Sequence, residues 1–324
     1  MKRTAVVVIN FRTPQLTIDC LETLVGEIDP SQDIVVVVDN DSGDDSYSRI
    51  ESHIQKQGWQ TWVDLIPSGK NGGFSFGNNV GIKSVEAKYY LLLNSDTLVR
   101  PGALETMRQA IQERSDVGLV GPRLEWRDGT SQISCFRNRT PASELITAAS
   151  TGPITRLLQK YVVSLPVSDQ RIEPHWASFA CILIRREVIE QVGLMDDDFF
   201  MYFEDIDYCR RAIKKEWKVL YEPSARVVHL RGGSSNVKDA LSERKRPPRF
   251  YYESRARYFA KFYGRIGLWF TNLLWAGGRT IEWVRVVCTG RPQLTCQKES
   301  IDNWIGGWNP LKARASNSKA TSET

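Results

Sequence analysis

The chain has 324 residues, 41% of them hydrophobic and 25% charged, which is ordinary for a globular protein of one large domain or two modest ones. Its net charge of +5 is too mild to imply a nucleic-acid partner. Cys20, Cys135, Cys181, Cys209, Cys288 and Cys296 are scattered without a CxxC pair, which speaks against a zinc site or disulfide framework and makes the cytosol the default compartment. No run approaches the ~20 apolar residues of a membrane span. The nearest, Ile266–Gly278, is short and contains Thr271 and Asn272. The N-terminus enters a strand pattern at once, with no leader-like apolar segment or cleavage site.

In chain order, "AVVVIN" (Ala5–Asn10) reads as a buried strand and Thr13–Val25 as a helix. Thr13 stands at the N-cap, Pro14 at the first turn, and Leu16, Cys20, Leu21 and Leu24 form the apolar stripe. Strands follow at Asp33–Asn40, Thr61–Pro67, Tyr89–Asp96 and Val117–Pro122. Near-continuous Val/Ile/Leu strands separated by helices predict an α/β fold with a mostly parallel sheet covered on both faces. Beyond Pro122 the pattern loosens, with a helix at Ala142–Ala149, a strand at Trp176–Arg186 and a short helix from Arg186 to Val192. A helix ending near Lys215 and two short strands, Lys218–Pro223 and Ala225–Leu230, come next.

Three strands end in polar residues. Ligands bind beyond the carboxyl ends of strands in open α/β sheets, so Asp39, Asn40, Asn94 and Asp96 are expected at one edge. "DNDSGDDS" alone is equally a polar turn, and Asp96 equally a strand-end cap or a carboxylate holding a divalent ion on a diphosphate. "NGGFSFGNNVG" (Asn71–Gly81) is glycine-rich but is neither a P-loop nor a dinucleotide fingerprint. His229 ends a strand before "LRGGSS", an arrangement suited to a metal or phosphate. "FFMYFEDIDYCRR" (Phe199–Arg211) crowds Glu204, Asp205 and Asp207 against aromatic rings. Either they serve a helix N-terminus, or one is a general base at a pocket lip.

Taken in order, "VVINFRTP", "VDNDS", "NGGFSFGNNVG", "LLLNSD", "FFMYFEDIDYCRR" and "HLRGGSS" resemble the motif set of the family 2 inverting glycosyltransferases of GT-A fold, and look most like the bacterial rhamnosyltransferase subgroup. The resemblance covers Val6 to Ser235. It implies a nucleotide-sugar site of Thr13, Asp39, Asn40, Ser42, Asn71, Gly73, Asn79, Asn94, Ser95 and Arg231. It implies Mg²⁺ or Mn²⁺ on Asp96 and His229, with Asn94 replacing the first acid of the family's DxD, and a catalytic pair of Glu204 and Asp205 with Asp205 the base. The implied reaction transfers a sugar, L-rhamnose from dTDP-rhamnose, to a glycan or lipid-linked acceptor in cell-surface polysaccharide synthesis. The alternatives are a UDP-dependent galactofuranosyl or N-acetylhexosaminyl transfer, or a nucleotide-sugar-binding protein without activity. A pyrophosphorylase and a nicotinamide-dependent dehydrogenase lack their glycine-rich signatures here.

The expected organisation is a catalytic domain at 1–236, a basic, aromatic helical extension at 237–311 and a disordered tail at 312–324. From Val237 to Arg265, nine Lys or Arg face only Asp239, Glu243 and Glu253, with aromatics interleaved and Trp269, Phe270 and Trp275 following. Such a segment suits either an anionic membrane surface on the cytoplasmic side or packing on the catalytic domain or a second copy of the chain.

Overall fold

β-branched runs build the sheet. The computed structural model describes residues 1–231, 237, 240, 243–290 and 296–312. Its elements are β1 (Lys2–Asn10), α1 (Pro14–Leu24), β2 (Asp33–Asp39), α2 (Ser46–Gln57), β3 (Val63–Pro67), α3 (Gly73–Ser84), β4 (Ala87–Asn94), β5 (Thr97–Val99), α4 (Ala103–Glu113) and β6 (Val117–Glu125). There follow β7 (Cys135–Phe136), α5 (Pro141–Ala149), α6 (Gly152–Leu157), β8 (Trp176–Ala177), β9 (Cys181–Arg185), α7 (Arg186–Val192), α8 (Glu204–Ile213), β10 (Lys218–His229), α9 (Arg249–Thr289) and α10 (Glu299–Asp302).

The eight-stranded sheet has the order β3-β2-β1-β4-β9-β6-β10-β5. β3, β2, β1 and β4 are parallel, and Ile9 pairs with both Val38 and Asn94. The ends of β1, β2 and β4 therefore lie side by side. The side chains of these buried strands alternate between two cores. Val6, Val8, Val35, Val37 and Leu91 pack with α1, α2 and α4, while Ala5, Val7, Val36, Val38 and Leu92 pack with α3, α7, α8 and α9.

Several elements depart from the sequence reading. The Trp176–Arg186 strand divides, with β8 in a two-stranded ribbon with β7 and β9 antiparallel between β4 and β6. The two strands expected from Lys218 to Leu230 are one, β10, where Glu222 and Arg226 pair with the consecutive residues Pro122 and Arg123. The intervening residues are accommodated as a bulge. The glycine-rich stretch, which the sequence left without a secondary structure, is helical from Gly73 onward, in α3. Thr13 precedes α1 without capping it through its side chain, and the buried face of α1 uses Thr17 and Ile18 rather than Leu16.

α9 is broken at Gly264 (φ 73°, ψ 175°), where the helix changes direction. Its first part enters the core through Tyr252, Tyr258 and Phe259. Its second part lies on α5, where a Cβ on Gly278 would stand 2.7 Å from the Leu145 carbonyl oxygen. Only a glycine allows the two helices that approach. Among the described residues, no helix is long and apolar enough to cross a membrane. The tail from residue 313 and the Gly232–Ser235 part of the last motif lie outside the described residues.

Candidate active site

Asn10, the last residue of β1, organises the nucleotide edge. Its amide donates to Asp39 Oδ1 (2.8 Å) and Ser42 Oγ (3.1 Å), and its Oδ1 accepts from Thr17 Oγ1 (3.0 Å) and the Thr13 amide (3.3 Å). Ser42 Oγ donates to Asp39 Oδ1 (2.6 Å) and accepts from the Arg12 amide. Thr13 Oγ1 reaches Ser95 Oγ at 3.2 Å, which ties the end of β1 to the end of β4. Sequence reading passed over Asn10. Its signal was a lone amide closing an otherwise apolar buried strand, a position where a polar group must find partners.

Asn40, at the end of β2, donates to Asn71 Oδ1 (3.1 Å) and to the Gly73 carbonyl (3.2 Å). Gly73 has φ +85°, and a Cβ there would sit 2.1 Å from Phe200 O. The Phe74 amide donates to that same oxygen at 2.7 Å. α3 thus begins directly beneath the aromatic-acidic segment, and glycine is required by both φ and space. Asn79, in contrast, turns its amide away from this edge. It donates to Met195 O (2.9 Å) and to Asp197, and it accepts from the Met195 amide (3.0 Å). It holds the loop ahead of Phe199 in place.

On the far side of β4, Asp96 faces His229, with Oδ1 3.5 Å from Nε2 and both side chains buried. β5 turns back beside β10 so that Thr97 pairs with His229, and the Leu230 amide donates to Asp96 O. Gln132, also missed in the sequence, donates to His229 O (2.8 Å) and accepts from Arg231 Nε (2.5 Å). Arg231 lies over the Trp126 ring, and burial lowers its pKa against the pull of Asp96. Three buried polar atoms along this edge have no hydrogen-bond partner among the described residues: Asn40 Oδ1, Asn94 Oδ1 and His229 Nδ1. Such groups ordinarily find partners, so the edge is chemically suited to a polar ligand.

The acidic segment is strained. Tyr202 (φ 69°) and Phe203 (φ 70°) are consecutive left-handed residues, each costing ~1 kcal/mol or more. Phe199 and Phe203 are core residues, and Arg139 lies over the Phe203 ring at 5.2 Å. Phe200 and Tyr202 are only half-buried and form the outer aromatic surface. Ser254 of α9 donates to the Met201 carbonyl (3.1 Å) and so braces the turn from behind. α8 then starts with Glu204; no side chain of its N-cap Phe203 caps it, but of the three first-turn acids Asp205 accepts a free helical amide, so the helix N-terminus reading holds in part. Asp207 is buried and bound to Arg211 (2.8 Å) and Lys261 (2.6 Å), an anchoring role. Glu204 is buried, and burial first, then the charges of Asp205 and Asp207, push its pKa well above the usual carboxylate range. Asp205 is half-buried, with Oδ1 accepting the Ile206 amide at 2.8 Å.

Sheet order, strand-end polar edge and outlying helices together define a GT-A glycosyltransferase fold. The mannosyltransferase PcManGT from Pyrobaculum calidifontis, solved in complex with GDP-Man and Mn²⁺, shares it with a TM-score of 0.57 at 12% identity, over 90% of this chain and 77% of that one. The chain belongs to the glycosyltransferase-like family 2, whose model matches residues 2–247. It is 26% identical over 189 residues to the N-acetylglucosaminyl-diphospho-decaprenol L-rhamnosyltransferase of Mycobacterium tuberculosis, covering 53% of this chain and 60% of that protein. It is 28% identical over 182 residues to the low-salt glycan biosynthesis hexosyltransferase Agl10 of Haloferax volcanii, covering 55% of this chain and 52% of Agl10. The dTDP-rhamnosyl transferase RfbF of Shigella flexneri is 24% identical over 219 residues, 66% of each chain. The chain thus spans little more than half the length of the first two.

Proposed function

We propose that this chain is an inverting rhamnosyltransferase that uses dTDP-rhamnose and a lipid-linked glycan acceptor in cell-surface polysaccharide synthesis, with Asp205 as general base. The observation that carries the assignment of the base is the division of the acidic pair. Glu204 is buried, whereas Asp205 stands at the accessible lip of a strained, braced turn. The greater exposure of Asp205 supports its being the one that an acceptor hydroxyl reaches. Asp205 takes the hydroxyl proton as the acceptor oxygen attacks the anomeric carbon, and the nucleoside diphosphate leaves from the opposite face. Phe200 and Tyr202 supply an apolar surface against which a sugar ring stacks and which limits water.

The donor's nucleoside lies along Thr13, Asp39, Asn40, Ser42, Asn71 and Gly73, with Asn94 and Ser95 below and Arg231 toward the diphosphate. Asn79 serves this site by positioning the loop before Phe199. Support for rhamnose comes from the names of the mycobacterial and Shigella relatives, and support for a lipid-linked acceptor from the mycobacterial one. The second reading is a UDP-dependent galactofuranosyl or N-acetylhexosaminyl transfer, with which the name of the hexosyltransferase Agl10 is equally compatible.

Mg²⁺ or Mn²⁺ fits the residues present. Asp96 and His229 already face one another, and His229 Nδ1 and the neighbouring Asn94 Oδ1 lack partners among the described residues. Among the described residues, no cluster of three or more His, Cys, Asp or Glu could hold an ion unaided. Such ions bind through one or two side chains together with substrate phosphates, so Asp96 and His229 would hold one on the donor diphosphate. When bound, a divalent ion neutralises the charge of the departing diphosphate.

The test is turnover with dTDP-rhamnose and a polyprenyl-diphosphate-linked acceptor by Asp205→Asn enzyme. The substitution keeps shape and removes basicity, so kcat should fall by ~10²–10⁴-fold with donor affinity retained. Wild-type turnover in the variant would remove the base from Asp205.

A further inference from the structure

The second part of α9 is buried on one face and exposed and apolar on the other. One face, with Leu268, Thr271, Trp275 and Gly278, is buried against α5. The other carries Ile266, Trp269, Phe270 and Leu273 at helical three- and four-residue spacing and, eleven residues on from Leu273 and so on the same side, Val284 with Val287. All six are exposed, Ile266 at 87%, Leu273 at 59% and Val287 at 64%. A contiguous exposed apolar face of this kind marks an interaction surface. The segment after α9 extends this surface. Trp304 and Trp308 close on Trp269 with ring centroids 5.3 and 5.6 Å apart, and Trp308 is 84% exposed.

The surrounding charge has one sign. Among the described residues of 264–290 and 296–312, the carboxylates are Glu282, Glu299 and Asp302. Glu282 is buried beside Arg279 and Arg285, Asp302 is buried and paired with Arg246 at 2.7 Å, and Glu299 accepts the Cys296 amide. Arg265, Lys298 and Lys312 are exposed. The outward surface is thus apolar and tryptophan-bearing, and the fully exposed charged side chains of these segments are cations.

The geometry points to this face, residues 266–287 with Trp304 and Trp308, as a docking surface for an anionic lipid bilayer, on which the helix lies flat. Tryptophan favours the membrane–water boundary, and exposed cations beside an apolar stripe complement anionic headgroups. A second copy is the poorer occupant, because a twofold interface would set the same exposed cations against each other. The face keeps Trp269 and Phe270 of the segment that the sequence suggested, but not its basic part between 237 and 265. There Arg255, Arg257 and Lys261 are bound to Glu144, Asp196, Asp198 and Asp207, and Tyr252, Tyr258 and Phe259 are buried. The inference deepens the transferase reading by naming where a lipid-linked acceptor is met, and it rests on that reading only for its purpose.

The full-length chain is mixed at low salt with vesicles of equimolar phosphatidylglycerol and phosphatidylcholine, or of phosphatidylcholine alone, and floated on a density gradient. Flotation needs no turnover, so its failure leaves the proposed reaction untouched. We expect binding to the anionic vesicles, loss of that binding at high salt, and at least ~10-fold weaker partitioning for Leu273→Glu/Val284→Glu. Both positions are exposed, so far-UV circular dichroism and melting temperature should match the wild type, which separates lost docking from lost folding. Absence of co-flotation overturns the inference, as does equal flotation by the double variant. A stable dimer in solution that the double variant converts to monomer, with no vesicle binding, would reassign the face to a second copy.

Discussion

Glu204 and Asp205 are chemically near-identical neighbours on one helical turn, and their surroundings separate them. Glu204 is in the core with Oε2 unpartnered among the described residues, while Asp205 is partly exposed. Because the folded-state pKa of Glu204 lies above its unfolded value, its contribution to stability is complete below the usual carboxylate range. That contribution is lost as pH rises through the folded pKa. The loss is about 1.4 kcal/mol for each pH unit that separates the two pKa values. Glu204→Gln cannot ionise. The melting temperature of this variant relative to wild type should therefore rise with pH from the acid to the alkaline side, and thermal melts across that range read it directly. A constant difference would show that Glu204 is not the group that titrates. On the opposite edge, activity should fall in EDTA and return with Mg²⁺ or Mn²⁺. Asp96→Asn should raise the metal concentration needed by roughly tenfold or more. Full turnover in chelated wild-type enzyme would instead mark a metal-independent transferase.

At the scale of elements, α9 is attached to the catalytic part by buried charge. Arg255 binds Glu144 of α5 at 2.8 Å and Asn272 at 2.8 Å, and Arg139 holds the other Glu144 oxygen at 3.1 Å. Burial alone would raise the Glu144 pKa, but Arg255 and Arg139 hold it below the usual range. Its contribution is accordingly present above the unfolded pKa and lost as pH falls through the folded one. Arg255→Met leaves Glu144 buried with half its partners, and chemical denaturation should show a loss of about 3–5 kcal/mol. Glu144→Gln in the same chain removes the stranded charge and should recover part of that loss. A single variant as stable as wild type would mean that the pair does not fasten the helix. The break at Gly264 separates this anchored stretch from the part of α9 whose outer face is free.

Over the whole molecule, the stretch up to Pro122 was the more legible in the sequence; beyond it the helices α5 and α7 fall where they were read, but the strand pairing does not. Residues 1–122 are built from local signals: valine runs buried on both faces, Pro14 opening a helix, polar residues closing three of the strands. Those strands are parallel neighbours, so Asp39, Asn40, Asn94 and Asp96 had to fall along one border once the sheet formed. The acidic segment was visible as a mismatch between aromatic and charged residues, and the ordered motifs were enough to name the family. Tertiary structure decided what depends on non-local pairing. β9 inserts antiparallel between β4 and β6, β10 runs through a bulge that reads as a strand break, and β5 folds back to bring Asp96 to His229 across 133 residues of chain. It also decided which of equivalent side chains meet solvent. A sequence pattern gives the period of a helix but not the number of its partners. Arg255 and Lys261 in the basic segment were therefore claimed by buried acids from distant elements, while the apolar stripe from Ile266 to Val287 was left facing outward.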